Sequence, residues 1–323
     1  MEDWRSSDLR VLVVCSGKPS DEEWSFEINK SFVFEQVQSL INIKVDCDTF
    51  FIEGSGAIGY LSNYKKLVKK IAKFRPDIVH AHYGFSGLLA SLQRRVPVIT
   101  TFHGSDINIP RNRIFSFLAS RLSSESIFVH ESLPAEINYR KFRHLVPCGV
   151  DIKTFHPRGK RSARDQLGLE QDRMFALFSA AFNNKVKNYE LARQALSKAN
   201  HDIELLELKS CSREKVCMLM NAVDLLIVTS SSETGPLVVK EALACNCPVV
   251  SVDVGDVKKV VGDVDGCYIT AHNSQEIARC IDKVVSRNER LQSRESILRY
   301  SLEDVADRLK KIYSKVMQDK SVN

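Results

Sequence analysis

The sequence predicts an α/β protein with two Rossmann-like, doubly wound parallel-sheet domains. Its 323 residues exceed what one ordinary domain needs and suffice for two. Short β-rich apolar runs alternate with helical stretches, and the same alternation starts again near residue 174. Apolar runs that alternate with helices are typical of a parallel sheet covered on both faces.

The elements follow one another in two arrays. The predicted strands of the first array are residues 9–15, 43–51, 77–82, 97–103, 126–130 and 144–147, with helices at 29–41, 60–74, 85–93 and 113–122. The predicted strands of the second array are residues 174–182, 203–208, 224–230, 247–252 and 267–270, separated by further helices. Residues 147–168 have turn residues and charge but little periodicity, which predicts a linker. A last amphipathic helix is predicted at 302–316.

Composition indicates a soluble globular enzyme, since 44% of the residues are hydrophobic and 27% are charged. No apolar run approaches the roughly 20 residues that a membrane span needs. The acidic start precedes only the short run Val11–Cys15, so we expect no signal peptide. Nine cysteines without the spacing of a disulfide framework indicate a reducing cytoplasm.

The net charge of +6 is spread along the chain. Residues 1–151 carry 19 basic and 17 acidic side chains, and the remainder carries 27 and 23. A nucleic-acid-binding domain would concentrate its basic residues on one face, so we expect no nucleic acid partner.

One segment, residues 60–75, departs from this even charge. It holds six basic residues and no acid, and its apolar residues recur at helical spacing. One interpretation is a surface helix that packs its apolar stripe on the first sheet. The other is a peripheral contact with an anionic membrane, at the inner face of the plasma membrane.

The stretch "ETGPLVVKEALACNCPVVS" (233–251) carries the clearest chemical signal. Glu233 follows a predicted strand, and Pro236 favours a helix start whose first amides stay open to phosphate. Glu233 would repel phosphate, so we expect it to bind hydroxyl groups. Glu241 lies further along an apolar helix, where a lone charge is costly and ribose hydroxyls would satisfy it. Together these features predict a nucleotide sugar, although two solvated glutamates would also fit.

Glu233 and Glu241, with seven residues between them, resemble the E-x7-E signature of retaining GT-B glycosyltransferases of family 4 type, the bacterial group 1 glycosyltransferases. Similar blocks of that family occur in the same order at "VHAHYGFSG" (79–87), "TTFHGSDI" (100–107), "VPCGVDIKTFHP" (146–157) and "NNKVKNYELA" (183–192). The resemblance implies the GT-B fold, with two domains facing a central cleft. The acceptor-side domain would be residues 1–152 joined by the helix at about 302–318, and the donor-binding domain residues 153–300.

Three catalytic residues follow from the resemblance. Glu233 would contact hydroxyls of the donor sugar, and Lys187 would neutralise the leaving β-phosphate. His103 would reach the transferring sugar from the other side of the cleft after closure about a hinge near 150–158. No metal ligand and no cofactor are expected, because family members of this kind need no essential metal ion.

The resemblance also implies donor-binding and acceptor-side residues. The donor-binding residues would be Gly17, Lys185, Gly235, Pro236, Leu237, Val238 and Glu241, of which Glu241 would bind the ribose. On the acceptor side, Asp106 would orient its loop or meet the acceptor, Arg111 would lie nearby beside exposed phenylalanines, and His82 would have a packing or acceptor role rather than a metal-binding one. Cys245 and Cys247 are interpreted as a buried helix-to-strand turn rather than a redox pair.

The chain departs from the family pattern at the diphosphate site. The usual Gly-Arg-Leu is Ala180-Ala181-Phe182, so an arginine is missing; Lys185 could replace its charge but not its bidentate geometry. The glycine-rich first loop keeps only Gly17, and Thr-Gly-Pro stands after Glu233 where Gly-Phe-Gly is usual.

The expected function is retaining transfer of a sugar from a nucleotide-diphosphate sugar to a saccharide or lipid-linked acceptor, in bacterial surface polysaccharide biosynthesis. One alternative is another GT-B activity on nucleotide sugars, such as an epimerase. A second is a non-catalytic partner subunit, which the departures at the diphosphate site would explain. A nicotinamide dehydrogenase is disfavoured because no Gly-x-Gly-x-x-Gly follows the first strand.

Overall fold

A computed structural model describes residues 9–136 and 143–322. The described residues divide into two compact units. One comprises the residues up to Gly149 together with those from Leu302 onward, and the other is Val150–Ser301. No helix in the described part of the chain combines the length and apolar character that crossing a bilayer requires.

The first unit contains a six-stranded parallel sheet. Its strands are β1 (Arg10–Ser16), β2 (Asp46–Ile52), β3 (Ile78–His82), β4 (Val98–Phe102), β5 (Glu125–Phe128) and β6 (Arg143–Leu145). Its helices are α1 (Phe26–Asn29), α2 (Ser31–Asn42), α3 (Gly56–Ser62), α4 (Tyr64–Phe74), α5 (Gly84–Ser91), α6 (Ser105–Asn108), α7 (Pro110–Leu122) and α8 (Leu133–Glu136). The strand order is β2-β1-β3-β4-β5-β6, so the winding direction reverses between β1 and β3.

The last helix of the chain, Leu302–Val322, packs in this first unit. Its apolar side chains, including Leu309 and Tyr313, share one buried cluster with Val13 of β1 and Val37 of α2. Tyr313 is fully buried. A 21-residue helix with such a stripe needs an apolar surface to cover, and one face of the first sheet provides it.

The second unit, residues 150–301, contains a five-stranded parallel sheet. Its strands are β7 (Met174–Phe178), β8 (Ile203–Glu207), β9 (Leu225–Val228), β10 (Val249–Val252) and β11 (Tyr268–Thr270). Its helices are α9 (Lys160–Leu167), α10 (Tyr189–Leu196), α11 (Arg213–Ala222), α12 (Leu237–Ala244), α13 (Val257–Val261), α14 (Ser274–Arg287) and α15 (Arg294–Ile297), so the last helix, Leu302–Val322, is α16. The order β11-β10-β9-β7-β8 reverses direction between β7 and β9. The predicted doubly wound α/β fold with two parallel sheets is thereby confirmed.

Two predicted elements differ from the structure. The helix predicted at 60–74 is two helices that meet at Asn63, whose side chain donates hydrogen bonds to the carbonyl oxygens of Gly59 and Glu53 at 2.7 and 2.8 Å. The second half of the predicted linker is α9 of the second unit. Arg164 of this helix is buried and donates to Asp224 Oδ2 at 3.0 Å, and Ala163 packs in a small apolar cluster with Met218 and Ala222 of α11.

Candidate active site

The candidate site of the second unit lies where its sheet changes winding direction. In open parallel sheets, the loops after the two strands at such a point diverge and leave a crevice at the carboxyl ends. Lys187 ends the 3₁₀ turn Lys185–Lys187 after β7, and Glu233 lies in the loop after β9. Lys187 Nζ is 2.5 Å from Glu233 Oε1. The topology thus brings together two of the predicted catalytic residues.

Hydrogen bonds within the loop after β9, and between this loop and the turn after β7, hold this ion pair in place. Ser230 Oγ donates to Glu233 Oε1 at 2.8 Å, which orients the carboxylate. Thr229 Oγ1 donates to the carbonyl oxygens of Lys187 and Asn188, both at 3.0 Å. The amide of Ser231 donates to the carbonyl of Val186 at 2.8 Å. The loop after β9 therefore carries both the acid and the contacts that position its cationic partner.

The helix α12 begins next to this pair. Pro236 is its N-cap with φ −68°, so the helix begins at Leu237, one residue later than the sequence predicted. No side chain caps this end of the helix. The start of a helix presents backbone N–H groups and the positive end of the helix dipole, which is favourable for an anionic group. The backbone N–H groups at this end of the helix belong to Gly235, Leu237 and Val238.

Gly255 and Asp256 support the loop that enters α12. The amide of Asp256 donates to the carbonyl of Thr234 at 3.1 Å. A Cβ atom on Gly235 would lie 3.0 Å from Asp256 Oδ2, and one on Gly255 would lie 2.7 Å from the Thr234 carbonyl oxygen. Lys240 Nζ lies 3.6 Å from Asp256 Oδ2, and both side chains are buried. Glycine at 235 and 255 thus allows a close contact between two loops.

Replacing Gly255 with alanine should destabilise the second unit more than the same change at Gly168. Both glycines have left-handed backbone, with φ +57° and +68°, so alanine costs about 1–2 kcal/mol at either position. Only at Gly255 does the added Cβ also meet a carbonyl oxygen, since no atom lies within 4 Å of the Cβ position at Gly168. Denaturant unfolding of the two variants checks this; equal losses of unfolding free energy would contradict the close contact.

Glu241, the second glutamate of the motif, is paired inside the protein. Its side chain is 4% exposed, and Arg213 Nη2 donates to Glu241 Oε1 at 2.6 Å. The Arg213 guanidinium lies over the ring of Phe155, 4.6 Å from its centroid. Arg213 is not among the residues that the sequence motifs predicted. The cost of a buried lone carboxylate on an apolar helix indicates that some cation must approach it, but not which one.

His103 follows β4 in the first unit, and Asp106 holds its loop. Asp106 Oδ1 accepts hydrogen bonds from the amides of His103 and Gly104 at 3.1 and 2.9 Å, and Oδ2 accepts one from Gly84 at 3.0 Å. Burial raises the pKa of Asp106 to about 6, although these backbone hydrogen bonds oppose the shift. Of the two roles expected for Asp106, orienting the loop is the one that these contacts show.

Three histidines form a stack in the first unit, in which His80 and His82 are fully buried and His103 is half-buried. The ring centroids of His80 and His82 are 4.7 Å apart, and those of His82 and His103 are 5.2 Å apart. His82 Nδ1 and His103 Nε2 share a hydrogen bond of 2.9 Å. His80 bonds to the Tyr313 hydroxyl at 2.6 Å and to Thr101 Oγ1 at 2.7 Å. His82 is fully buried, so of its two expected roles packing against His103 is the one that its position allows.

The stack should make stability depend on pH. Burial lowers the pKa of His80 and His103 to about 3 and that of His82 well below its usual 6.5. The unfolded histidines take up protons below about pH 6.5 and the folded ones do not, so stability falls as pH falls through this range. In His80→Gln, the slope of unfolding free energy against pH should be shallower by about 1.4 kcal/mol per pH unit. Parallel curves for the variant and the wild type would contradict it.

Comparison with known families decides the class of protein. Residues 9–154 match the family model described as Glycosyltransferase Family 4, and residues 204–301 match that described as Glycosyl transferases group 1. The chain belongs to the group 1, family 4 type glycosyltransferases. The resemblance that the motifs indicated is thereby confirmed.

Relatives of this glycosyltransferase are distant. The putative teichuronic acid biosynthesis glycosyltransferase TuaC of Bacillus subtilis (strain 168) is 25% identical over 241 residues, which cover 64% of this chain and 61% of TuaC. The chain spans about three fifths of the length of the curated relatives that it matches first.

Solved structures share the fold with this glycosyltransferase. Sucrose-phosphate synthase from Thermosynechococcus elongatus superimposes with a TM-score of 0.80 at 17% identity, covering 96% of this chain and all of that one. Anabaena HepE in complex with UDP and glucose has a TM-score of 0.73 at 17% identity, covering 95% of this chain and 99% of HepE. Both likenesses support the GT-B fold.

Three further predicted residues of the glycosyltransferase are Gly17, Lys185 and Arg111. Gly17 follows β1, and a Cβ atom there would lie 2.9 Å from the rings of both Phe51 and Trp24, so packing explains this glycine. Lys185 is exposed in the 3₁₀ turn that ends at Lys187. Arg111 is exposed near the start of α7.

One expectation near Arg111 is wrong. The phenylalanines of α7 are partly buried and not exposed, because Phe115 stacks on Phe85 at 4.5 Å and Phe117 packs against an apolar cluster. The large apolar side chains of α7 that lie exposed are Ile114 and Leu118.

The sequence predicts no metal ligand and interprets Cys245 and Cys247 as a buried turn between a helix and a strand. Across the residues that the structure describes, no group of three or more His, Cys, Asp or Glu side chains is placed to hold a metal ion. Cys245 Sγ lies 3.9 Å from Cys217 Sγ, and Cys247 is fully buried.

Proposed function

We propose that this chain is a retaining, hexosyltransferase-type glycosyltransferase that needs no essential metal ion. It transfers a sugar from a nucleotide-diphosphate sugar to a saccharide or lipid-linked acceptor. The observation that carries the proposal is the Lys187–Glu233 pair, 2.5 Å apart, beside a helix start that no side chain caps. A cation, a carboxylate and free backbone amides at one crevice suit a ligand with a diphosphate and hydroxyl groups.

Each group of the pair then has its own task. Donor binding separates the pair: Lys187 Nζ moves to the β-phosphate and neutralises the charge that develops there as the sugar leaves. Glu233, still held by Ser230, accepts hydrogen bonds from hydroxyls of the donor sugar. The amides of Gly235, Leu237 and Val238 take the remaining phosphate oxygens. HepE, which shares the fold, was crystallised with UDP and glucose, and this supports a nucleotide sugar as the donor.

Glu241 binds the ribose in this proposal, with Arg213 as its internal partner. The arginine neutralises the buried carboxylate before the donor arrives, so the site need not hold an unpaired charge in the free protein. His103 acts on the transferring sugar, and its neutral imidazole can accept or donate a hydrogen bond but adds no charge.

The reaction in this proposal belongs to bacterial surface polysaccharide assembly, with nucleotide sugars drawn from the cytoplasm and the acceptor at the inner face of the plasma membrane. The resemblance to TuaC, described as a putative teichuronic acid biosynthesis glycosyltransferase, supports the polysaccharide role.

Donor hydrolysis in the absence of acceptor tests the reaction class. Candidate donors are incubated with the protein in EDTA, and NMR identifies the first sugar product. A retaining transferase releases the sugar with the anomeric configuration that it had in the donor. Release of the opposite anomer, or conversion to an epimeric nucleotide sugar, would contradict the proposal.

A non-catalytic partner subunit is the second candidate, and the loop after β7 favours it. Where the family has an arginine, this chain has Ala181, and the next amide, of Phe182, is held by Glu207 Oε2 at 2.9 Å. The ring of Phe182 packs on Tyr189 at 4.3 Å between centroids. Ala181 thus supplies no cation where one is usual, while Phe182 keeps the apolar character of the leucine that it replaces. Nucleotide binding without turnover of any donor would select this candidate.

A further inference from the structure

Helices α3 and α4 have an inner side that fixes them on the first unit. The side chain of Asn63, between the two helices, donates to the carbonyls of Glu53 and Gly59 at 2.8 and 2.7 Å. Leu67 and Ile71 of α4 are buried against the sheet. The position of this segment is therefore set, and what its outer side presents to the solvent is a defined surface.

The outer side of α3 and α4 carries exposed apolar side chains next to exposed lysines. Ile58 and Leu61 are neighbours one turn apart on α3, and they are 87% and 56% exposed. Asn63 has helical backbone, so the same side continues into α4, where four lysines are exposed. This lysine face consists of Ile58, Leu61, Lys65, Lys66, Lys69 and Lys73. Residues 54–75 contain no acidic side chain, and Lys70 lies 2.5 Å from Asp48.

We infer that the lysine face docks on an anionic lipid bilayer. Isolated exposed apolar residues are ordinary, but Ile58 and Leu61 are adjacent and lie at the end of a row of lysines, so one surface combines apolar side chains with positive charge. A soluble polyanion would complement the lysines and leave Ile58 and Leu61 in water. A bilayer offers negative head groups to the lysines and an apolar layer to the side chains of Ile58 and Leu61. The inference does not depend on the proposed transfer reaction, because none of these residues belongs to the candidate site.

Vesicle flotation of the full-length chain tests this docking. The protein is mixed with vesicles of phosphatidylcholine and phosphatidylglycerol, or of phosphatidylcholine alone, and bound protein is measured in the floating fraction. We expect binding to the anionic vesicles only, weakened by added salt. Each basic residue contributes about fivefold to such partitioning, so Lys65→Glu/Lys69→Glu should lower it by at least about 25-fold. Ile58→Ser/Leu61→Ser should also lose binding, because the apolar contact is then missing.

Matched variants distinguish binding through the lysine face from effects of net charge or of exposed apolar side chains elsewhere on the protein. Lys311→Glu/Lys320→Glu changes the net charge equally on exposed positions of α16, and Ile41→Ser/Leu298→Ser removes one isoleucine and one leucine exposed to 44% and 45%. Both should float like the wild type, and all variants should unfold at the wild-type temperature. Absence of flotation, equal losses in the matched variants, or binding to heparin without binding to vesicles would overturn the inference.

Discussion

Replacing Lys187 with alanine is expected to lower kcat/KM for sugar transfer by about two to three orders of magnitude. The reason is the loss of a preorganised positive charge at the leaving phosphate, an effect of about 2.7–4 kcal/mol in comparable sites. Initial rates with the donor that the protein accepts measure this. The loss should appear mainly in kcat, because the phosphate gains charge in the transition state.

Two comparisons make the Lys187 result specific. Lys258→Ala removes an exposed lysine of the same unit and should leave the rate unchanged. The unfolding temperature of Lys187→Ala should stay near that of the wild type, because Glu233 keeps its hydrogen bond from Ser230. A folded Lys187→Ala variant with a rate within about threefold of the wild type would show that this lysine does not serve the transition state.

Replacing Arg213 with methionine is expected to lower the free energy of unfolding by about 3 kcal/mol or more. Glu241 is 4% exposed, so without Arg213 its carboxylate would be a buried charge with no compensating cation, and such losses cost about 3–5 kcal/mol. Urea or guanidinium unfolding at neutral pH measures the change.

A double-mutant cycle identifies the unpaired charge as the cause. Arg213→Met/Glu241→Gln carries no ion at either position, so it should recover a large part of the stability that Arg213→Met loses. Glu241→Gln alone should cost less than Arg213→Met, because the guanidinium is 17% exposed and keeps its contact with Phe155. A cost below about 1 kcal/mol for Arg213→Met would class the pair with surface ion pairs and contradict its burial.

Periodicity was sufficient to predict most of the fold. Strands such as β1, β9 and β10 consist mostly of Val, Ile and Leu because both faces of the sheet are covered there, and such runs are visible in the sequence. Helix α9 was missed because its apolar side is short, limited to Ala163 and Leu167, and because one of its buried contacts is polar, from Arg164 to Asp224. The break at Asn63 was missed because apolar spacing continues across it, while the cause is a side-chain amide bonded to the loop after β2.

The sequence was sufficient to predict the part of the candidate site that lies directly after the ends of strands. Lys187 and Glu233 follow β7 and β9, which are neighbours in the sheet, so their positions in the sequence and the winding rule place them together. Arg213 could not be paired with Glu241 by sequence, because it begins helix α11 after another strand, β8, and lies 28 residues away. The contact of Tyr313 with His80 spans 233 residues and depends on how the last helix packs.

The most direct test of the account is a thermal-shift titration with UDP, GDP, dTDP, ADP and CMP, first in EDTA and then in magnesium. At 100 times its Kd, a ligand adds about 2.7 kcal/mol of stability, which a shift in unfolding temperature reveals. The account predicts a shift with one nucleoside diphosphate that persists in EDTA and is weakened in Glu241→Gln. No shift with any nucleotide, in EDTA or in magnesium, would contradict a donor site beside the Lys187–Glu233 pair.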